Sequence, residues 1–320
     1  MSSNYPNGFT NGVTIRGVPL QQAQPGEVFF VNNSTVLAKG GIGGSNGNAG
    51  TYQAPFSTID YAVGRCTAGR GDIIFVMPGH AETISTATSL NLDVAGIAII
   101  ALGSGASRAT LTLDTATTTT IPVSAANITM ANFIFSANFA DIVSVFTLTT
   151  AANFCLDRPY IKATATNMNF LNVVDTDATT GNADGLTILD PVWVEPDLAT
   201  LGFVKCDGTN ANWKIVKPRL TLGVKNNTPS LIAIATGKIL TGLLVDGYDI
   251  YRLNTDSATG ALLITTDGST NTGIIKNGSF QHADTAAEVL VTASSGFGFF
   301  NNYSSGVAGA SGYLLPAADS

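Results

Sequence analysis

From residue 71 onward the apolar residues fall in short runs, without the three-four spacing of helices. In GDIIFVMPGHAETI (71–84), Ile73, Phe75 and Met77 alternate with Ile74 and Val76 before a Pro78-Gly79 turn. That period of two marks a strand with two faces. Later runs share a shape that closes on Pro or Gly: CLDRP at 155–159, ILDP at 188–191, IVKP at 215–218, LVDG at 244–247 and IKNG at 275–278, with TMANF at 129–133 as an earlier copy. Corresponding positions recur at roughly 27–33 residues, a solenoid period. A parallel coil needs such a unit, because each turn of chain stacks on the last and buries a shared core. The pattern therefore predicts an all-β chain with a parallel β-helix over 71–303.

One segment reads as helix. In APFSTIDYAVGRC (54–66), Ile59, Ala62, Val63 and Cys66 form an apolar stripe at i, i+3, i+4 and i+7. Pro55 suits a first turn, and Gly69 and Gly71 end the pattern. The open edge of a first rung is an aggregation hazard, so this short helix is expected to cap it. Before it lies a glycine-rich loop, KGGIGGSNGNAG (39–50), within a capping region spanning 37–70. The loop lacks the Gly-Lys-Ser/Thr ending of a phosphate-binding loop and reads as a turn. Residues 1–36, broken by Pro6, Gly8, Gly12, Gly17, Pro19, Pro25 and Gly26, read as an extended N-terminal arm, and 304–320 as a C-terminal tail.

Composition narrows the function. Hydrophobic residues make up 45% and charged residues 12%, which excludes disorder. A net charge of −7 with no Lys/Arg cluster, Arg65, Arg70 and Arg108 being scattered, argues against nucleic-acid binding. Cys66, Cys155 and Cys206 are far apart and form no CxxC pair, as expected of reduced thiols rather than a metal or redox site. MSSNYPNGFT has neither basic start nor apolar core, so no secretory signal is expected, and VAGIAIIAL (94–102) is too short to span a bilayer.

Chemistry-bearing residues are few. Asp157, Asp175, Asp177, Asp184, Asp190 and Asp207 sit mostly in turn contexts, where Asp accepts backbone hydrogen bonds. DTDATTGNADG (175–185) resembles half a calcium loop, but Leu186 stands where the closing Glu belongs. His80 and His282 are the only histidines, too distant on a rod to share a metal. His80 with Glu82 has the residue types of a general acid–base pair, yet the Pro-Gly turn beside them favours a structural corner. No catalytic residue, metal or cofactor is assigned, and the chain is not expected to be an enzyme. Trp193 and Trp213 are the candidate sugar platforms should the chain bind polysaccharide.

Residues 50–84 carry a recognisable pattern: Pro55-Phe56-Ser57-Thr58-Ile59 with Ala62, then Gly71-Asp72-Ile73-Ile74-Phe75-Val76, then Pro78-Gly79 and Glu82. This resembles the opening of right-handed parallel β-helix proteins from tailed bacteriophages, with the glutamate one residue early. The leader NGVTIRGVPLQQAQPGEVFFVNN is similar to that of capsid cement (decoration) proteins. The likeness covers about the first quarter of the chain. It implies a homotrimeric virion protein standing on the capsid surface, with arms reaching to neighbours and the major capsid protein as partner, without nucleic acid or membrane. The interface candidates in that reading are Val13, Ile15, Val18, Val28, Phe29, Phe30 and Val31 of the arm and Tyr313, Leu314 and Leu315 of the tail. The alternative is a tail spike or fibre that binds host surface polysaccharide or, as the lesser branch, cleaves it.

Overall fold

A computed structural model describes residues 26–33, 40–165, 168–194, 202–222, 230–252, 264–265, 270–282 and 296–305, with three further short strands at 13–15, 18–20 and 313–315. The chain winds as a parallel β-solenoid with three strand-bearing faces. One turn runs Thr129–Ala131 on the first face, Ile134–Ala137 on the second and Ile142–Leu148 on the third. It then returns to the first face at Cys155–Asp157, paired in parallel with Thr129–Ala131. Repetition of this circuit gives a ten-stranded first face, a six-stranded third face and nine strands of the second face, to which Tyr313–Leu315 adds a tenth. Inside, aromatic and aliphatic side chains fill the coil; within one turn Phe135, Phe146 and Phe154 pack in series across the interior, with ring centroids 5.1 and 5.4 Å apart. Each fully buried side chain of this size contributes roughly 1.5–3 kcal/mol.

The two corners flanking the first face explain the recurring sequence shape. Asn127, Asn153, Gly185, Asn212 and Gly242 enter that face with positive φ, and Asn132, Arg158, Asp190, Lys217 and Gly247 leave it likewise. Asn and Gly tolerate this left-handed geometry best. Each corner N–H points along the coil axis to the next turn: Asn153 to the Asp184 carbonyl at 2.7 Å, Asp190 to the Val216 carbonyl at 2.8 Å. The Pro that follows Arg158, Asp190 and Lys217 lacks an N–H at the point where the chain turns onto the second face. The repeats seen in sequence are thus the first-face strands together with their exit corners.

The N-terminal end departs from expectation in two respects. Val28–Val31 is the outermost strand of the first face, in register with Ile73–Val76, and belongs to the solenoid rather than to an arm. Phe29 and Val31 are buried in the core, while Val28 and Phe30 face outward, so only the latter two remain as contact candidates. The helix is Ile59–Val63, five residues and not the thirteen expected. Phe56 is instead drawn into a parallel bridge with Val31, and Thr58 caps the helix by accepting the Tyr61 N–H. Ile59, Ala62 and Val63 are buried as the stripe predicts.

The arm residues Val13, Ile15 and Val18 lie in an antiparallel hairpin, Val13–Ile15 with Val18–Leu20. At the far end, Tyr313–Leu315 pairs antiparallel with Asn302–Ser305 and so covers part of the last edge of the second face. Tyr313, Leu314 and Leu315 therefore form a strand of the sheet, and the final solenoid strand runs to Ser305.

Candidate functional site

The motif at 71–84 is a clamp. Asp72 is fully buried and accepts four hydrogen bonds: from Glu27 N and Thr67 N at 2.7 Å, and from Arg70 Nε and Nη2 at 2.7 and 2.8 Å. Arg70 and the backbone donors hold its carboxyl below the usual range. Past the far end of the strand Ile73–Val76 and its Pro78-Gly79 turn, buried His80 accepts the Asn33 N–H on Nδ1 at 3.1 Å, which assigns the tautomer with hydrogen on Nε2. That nitrogen lies 3.1 Å from Glu82 Oε2, which also accepts the Ile59 N–H at 3.1 Å. Asp72 and the His80–Glu82 pair therefore pin both ends of the outermost strand, through Glu27 and Asn33, and both flanks of the helix, through Thr67 and Ile59.

The glycine-rich loop completes this cap. Asn46 Oδ1 accepts from Ser57 N at 3.0 Å, and a Cβ on Gly44 would fall 1.6 Å from the Asn32 carbonyl. Phe30 N donates to the Gly50 carbonyl and Asn32 N to the Phe56 carbonyl, both at 2.8 Å. The edge that would otherwise template aggregation is closed by backbone hydrogen bonds.

Carboxylates come together where sequence reading put isolated turn residues. Asp175 and Lys205 are opposite each other on adjacent third-face strands. Lys205 Nζ is 3.7 Å from Asp175 Oδ1 and 2.5 Å from Asp207 Oδ2. Burial pushes Asp175 up to about 6, with Asp207 adding to the rise and Lys205 opposing it. A glycosidase needs its two carboxyls on either side of the scissile bond; here an ammonium stands between them. Asp177 accepts from Thr179 N and Asn182 Nδ2 within its own turn, and Asp184 Oδ1 accepts from Ala211 N at 2.7 Å. The run 175–185 therefore does not gather its acids around one point.

Other candidates resolve as core. Trp193 and Trp213 are both fully buried, and Trp213 Nε1 donates to the Ala183 carbonyl at 2.8 Å, so neither is a sugar platform. Burial pushes the Cys66 and Cys206 thiols to about 12 and raises Cys155, which leaves them poor nucleophiles. His80 immediately precedes the strand Ala81–Ile84 and His282 ends the strand Ser279–His282, which lie seven steps apart in the second face, about 34 Å at 4.8 Å per step.

Two outward surfaces remain. On the first face Val28, Ile73 and Ala98 form one outward column and Phe30, Phe75 and Ile100 the next. Phe30 packs on Phe75 at 5.7 Å and on Tyr52 at 5.6 Å, and Tyr52 is 49% exposed. No charged side chain interrupts these columns over their first three strands. At the exit corner of the same face lies a groove of about 490 Å³ lined by Arg108, Asn132, Arg158, Pro159, Tyr160, Asp190, Val192 and Arg219.

No family model matches the chain, and no curated protein matches it. Among solved structures, one titled rhamnogalacturonan lyase superposes with a TM-score of 0.42 at 12% identity, covering 91% of this chain and 90% of that one. Another, titled Geobacillus virus E2 - ORF18, gives a TM-score of 0.39 at 12% identity over 78% of this chain and 58% of that one. The strand pairing described above establishes the parallel solenoid without them.

Proposed function

We propose that the chain is a structural protein of a tailed-bacteriophage virion, a cement protein on the capsid surface that acts as a homotrimer bound to the major capsid protein. The observation that carries this reading is the apolar outward surface of Val28, Phe30, Ile73, Phe75, Ala98 and Ile100 at the capped end of the solenoid. A contiguous apolar patch on a soluble protein marks a contact surface, and this one adjoins the N-terminal segment. The residues that carry the phage resemblance, Asp72 and Glu82 among them, are the ones that build the cap beneath that surface. Trimer geometry multiplies each weak arm or base contact. In this reading the chain works without catalysis, cofactor, nucleic acid or membrane. The net charge of −7 accords with the absence of nucleic acid, and among the described residues no helix is long and apolar enough to cross a membrane.

The test is addition of the purified chain to expanded capsids that lack it. Saturable binding is expected, with a solution mass three times the 32.9 kDa chain and loss of binding in Phe75→Asp. Wild-type protein that leaves such capsids bare sinks the cement reading. The second reading, a tail spike or fibre that binds host polysaccharide, is favoured by the arginine-lined corner groove.

A further inference from the structure

Seven arginines occur in this acidic chain, and three of them, Arg108, Arg158 and Arg219, line one groove. The Arg108 guanidinium lies over the Tyr160 ring, 5.5 Å from its centroid, and donates to the Arg158 carbonyl at 3.2 Å. Burial and the neighbouring Arg158 charge both disfavour its charged form. No carboxylate of a described residue lies within 4.0 Å of Arg108 or Arg219, whereas Arg158 pairs with Asp157 at 3.1 Å. A half-buried cation without an anion, beside two others, is costly unless an anion completes it.

The groove also offers acceptors. Asn132 donates both amide hydrogens, to the Ala101 and Gly103 carbonyls at 2.8 and 3.1 Å, which leaves its Oδ1 as an acceptor. Asp190 lines the same space and brings a carboxylate, and Tyr160 and Val192 line it with apolar surface. Three guanidiniums, two acceptors and an aromatic surface match a ligand with an anionic group, donating hydroxyls and an apolar ring face. An acidic peptide side chain or a free phosphate ion answers the guanidiniums but brings no ring face to Tyr160 and no array of neutral hydroxyls to Asp190 and Asn132. The volume lies in the range of small-ligand clefts, about 300–1,000 Å³.

We propose that this corner groove binds an acidic saccharide, with the anionic group on Arg108 and Arg219, hydroxyls on Asp190 and Asn132, and the sugar ring against Tyr160. The proposal does not depend on whether the chain sits on the head or the tail. Two sources share the chemistry, uronic-type carboxylates and sugar phosphates.

The experiment is calorimetric titration of the full-length protein with oligomers of galacturonic acid, oligomers of sialic acid and a glycerol-phosphate-linked oligosaccharide. The methyl-esterified galacturonate, a neutral galactan, hexaglutamate and inorganic phosphate serve as controls. At least one acidic series binds, its neutral counterpart binds at least tenfold more weakly, and R219Q and D190N each weaken it about fivefold or more. The carboxylate and phosphate series identify the source. Arg219 is exposed, so R219Q keeps the wild-type unfolding temperature and capsid binding, which separates failure of the groove from failure of the cement reading. The proposal is overturned if no acidic saccharide binds at millimolar concentration. It also fails if hexaglutamate or phosphate binds as tightly, or if R219Q and D190N titrate like wild type.

Discussion

Gly185 offers the sharpest test of how the corners hold the coil. Its φ is +73° and its N–H donates to the Ala211 carbonyl at 2.8 Å. A Cβ there would fall 2.2 Å from Asn153 Oδ1, the side chain at the same corner one turn earlier. Gly185→Ala therefore meets two separable costs. Left-handed backbone in a non-glycine residue costs about 1–2 kcal/mol, and overpacking against Asn153 about 1–3 kcal/mol. The sum is about 2–5 kcal/mol, or a fall of roughly 3–7 °C in melting temperature for a chain of this size. Asn153→Gly removes the obstructing oxygen but not the backbone strain, so Gly185→Ala in that background costs only about 1–2 kcal/mol. Thermal and urea unfolding of wild type, both single variants and the double variant supply the cycle. A Gly185→Ala melting temperature within about 1 °C of wild type, or no relief from Asn153→Gly, refutes the ladder argument.

Three other outcomes follow from the same geometry. Glu82→Ala leaves the Ile59 N–H and the His80 Nε2–H without their acceptor; a loss of about 2–5 kcal/mol is expected, read by thermal melts and by earlier proteolysis near residue 33. Asp175 titrates higher when folded, about 6 against 3.8, so its contribution to stability is greatest below pH 4 and is lost as pH rises through 6. Asp175→Asn should accordingly gain melting temperature over wild type at pH 7.5 and show a smaller gain at pH 4.5; an equal difference at both values refutes the burial argument. Tyr248 buries a hydroxyl that has no partner among the described residues, so Tyr248→Phe is expected to be neutral or to stabilise by up to about 1–2 kcal/mol in the same melts.

The coil was legible because its corners write themselves into the chain. Arg158, Asp190 and Lys217 each precede a Pro, and Asn277 precedes Gly278, a signal that survives degenerate strands. The cap was only half legible. The stripe of Ile59, Ala62 and Val63 marks the buried face, but helical periodicity cannot show that Phe56 bridges Val31, so it predicts too long a helix. Phe29 and Val31 read in sequence as part of an arm because a short apolar run among Pro and Gly looks alike whether it docks on a neighbour or begins the sheet. Asp175 and Lys205 stand 30 residues apart; only the register of one turn on the next makes them a pair. The groove was missed for the same reason, since Arg108, Arg158 and Arg219 come from three separate turns.

The paired corners also set a reading frame. Asn127 to Asn132, Asn153 to Arg158, Gly185 to Asp190, Asn212 to Lys217 and Gly242 to Gly247 are all the same five-residue tread. The path back to the next tread has no fixed length: it runs from Asn132 to Asn153, from Arg158 to Gly185, from Asp190 to Asn212 and from Lys217 to Gly242. One residue added to a tread would turn its side chains inside out, while residues added to the return path lengthen a loop at a cost that grows only slowly. The solenoid is thus rigidly metered along one side and elastic in length along the other, so new surface can be acquired on the elastic side without disturbing the metered one.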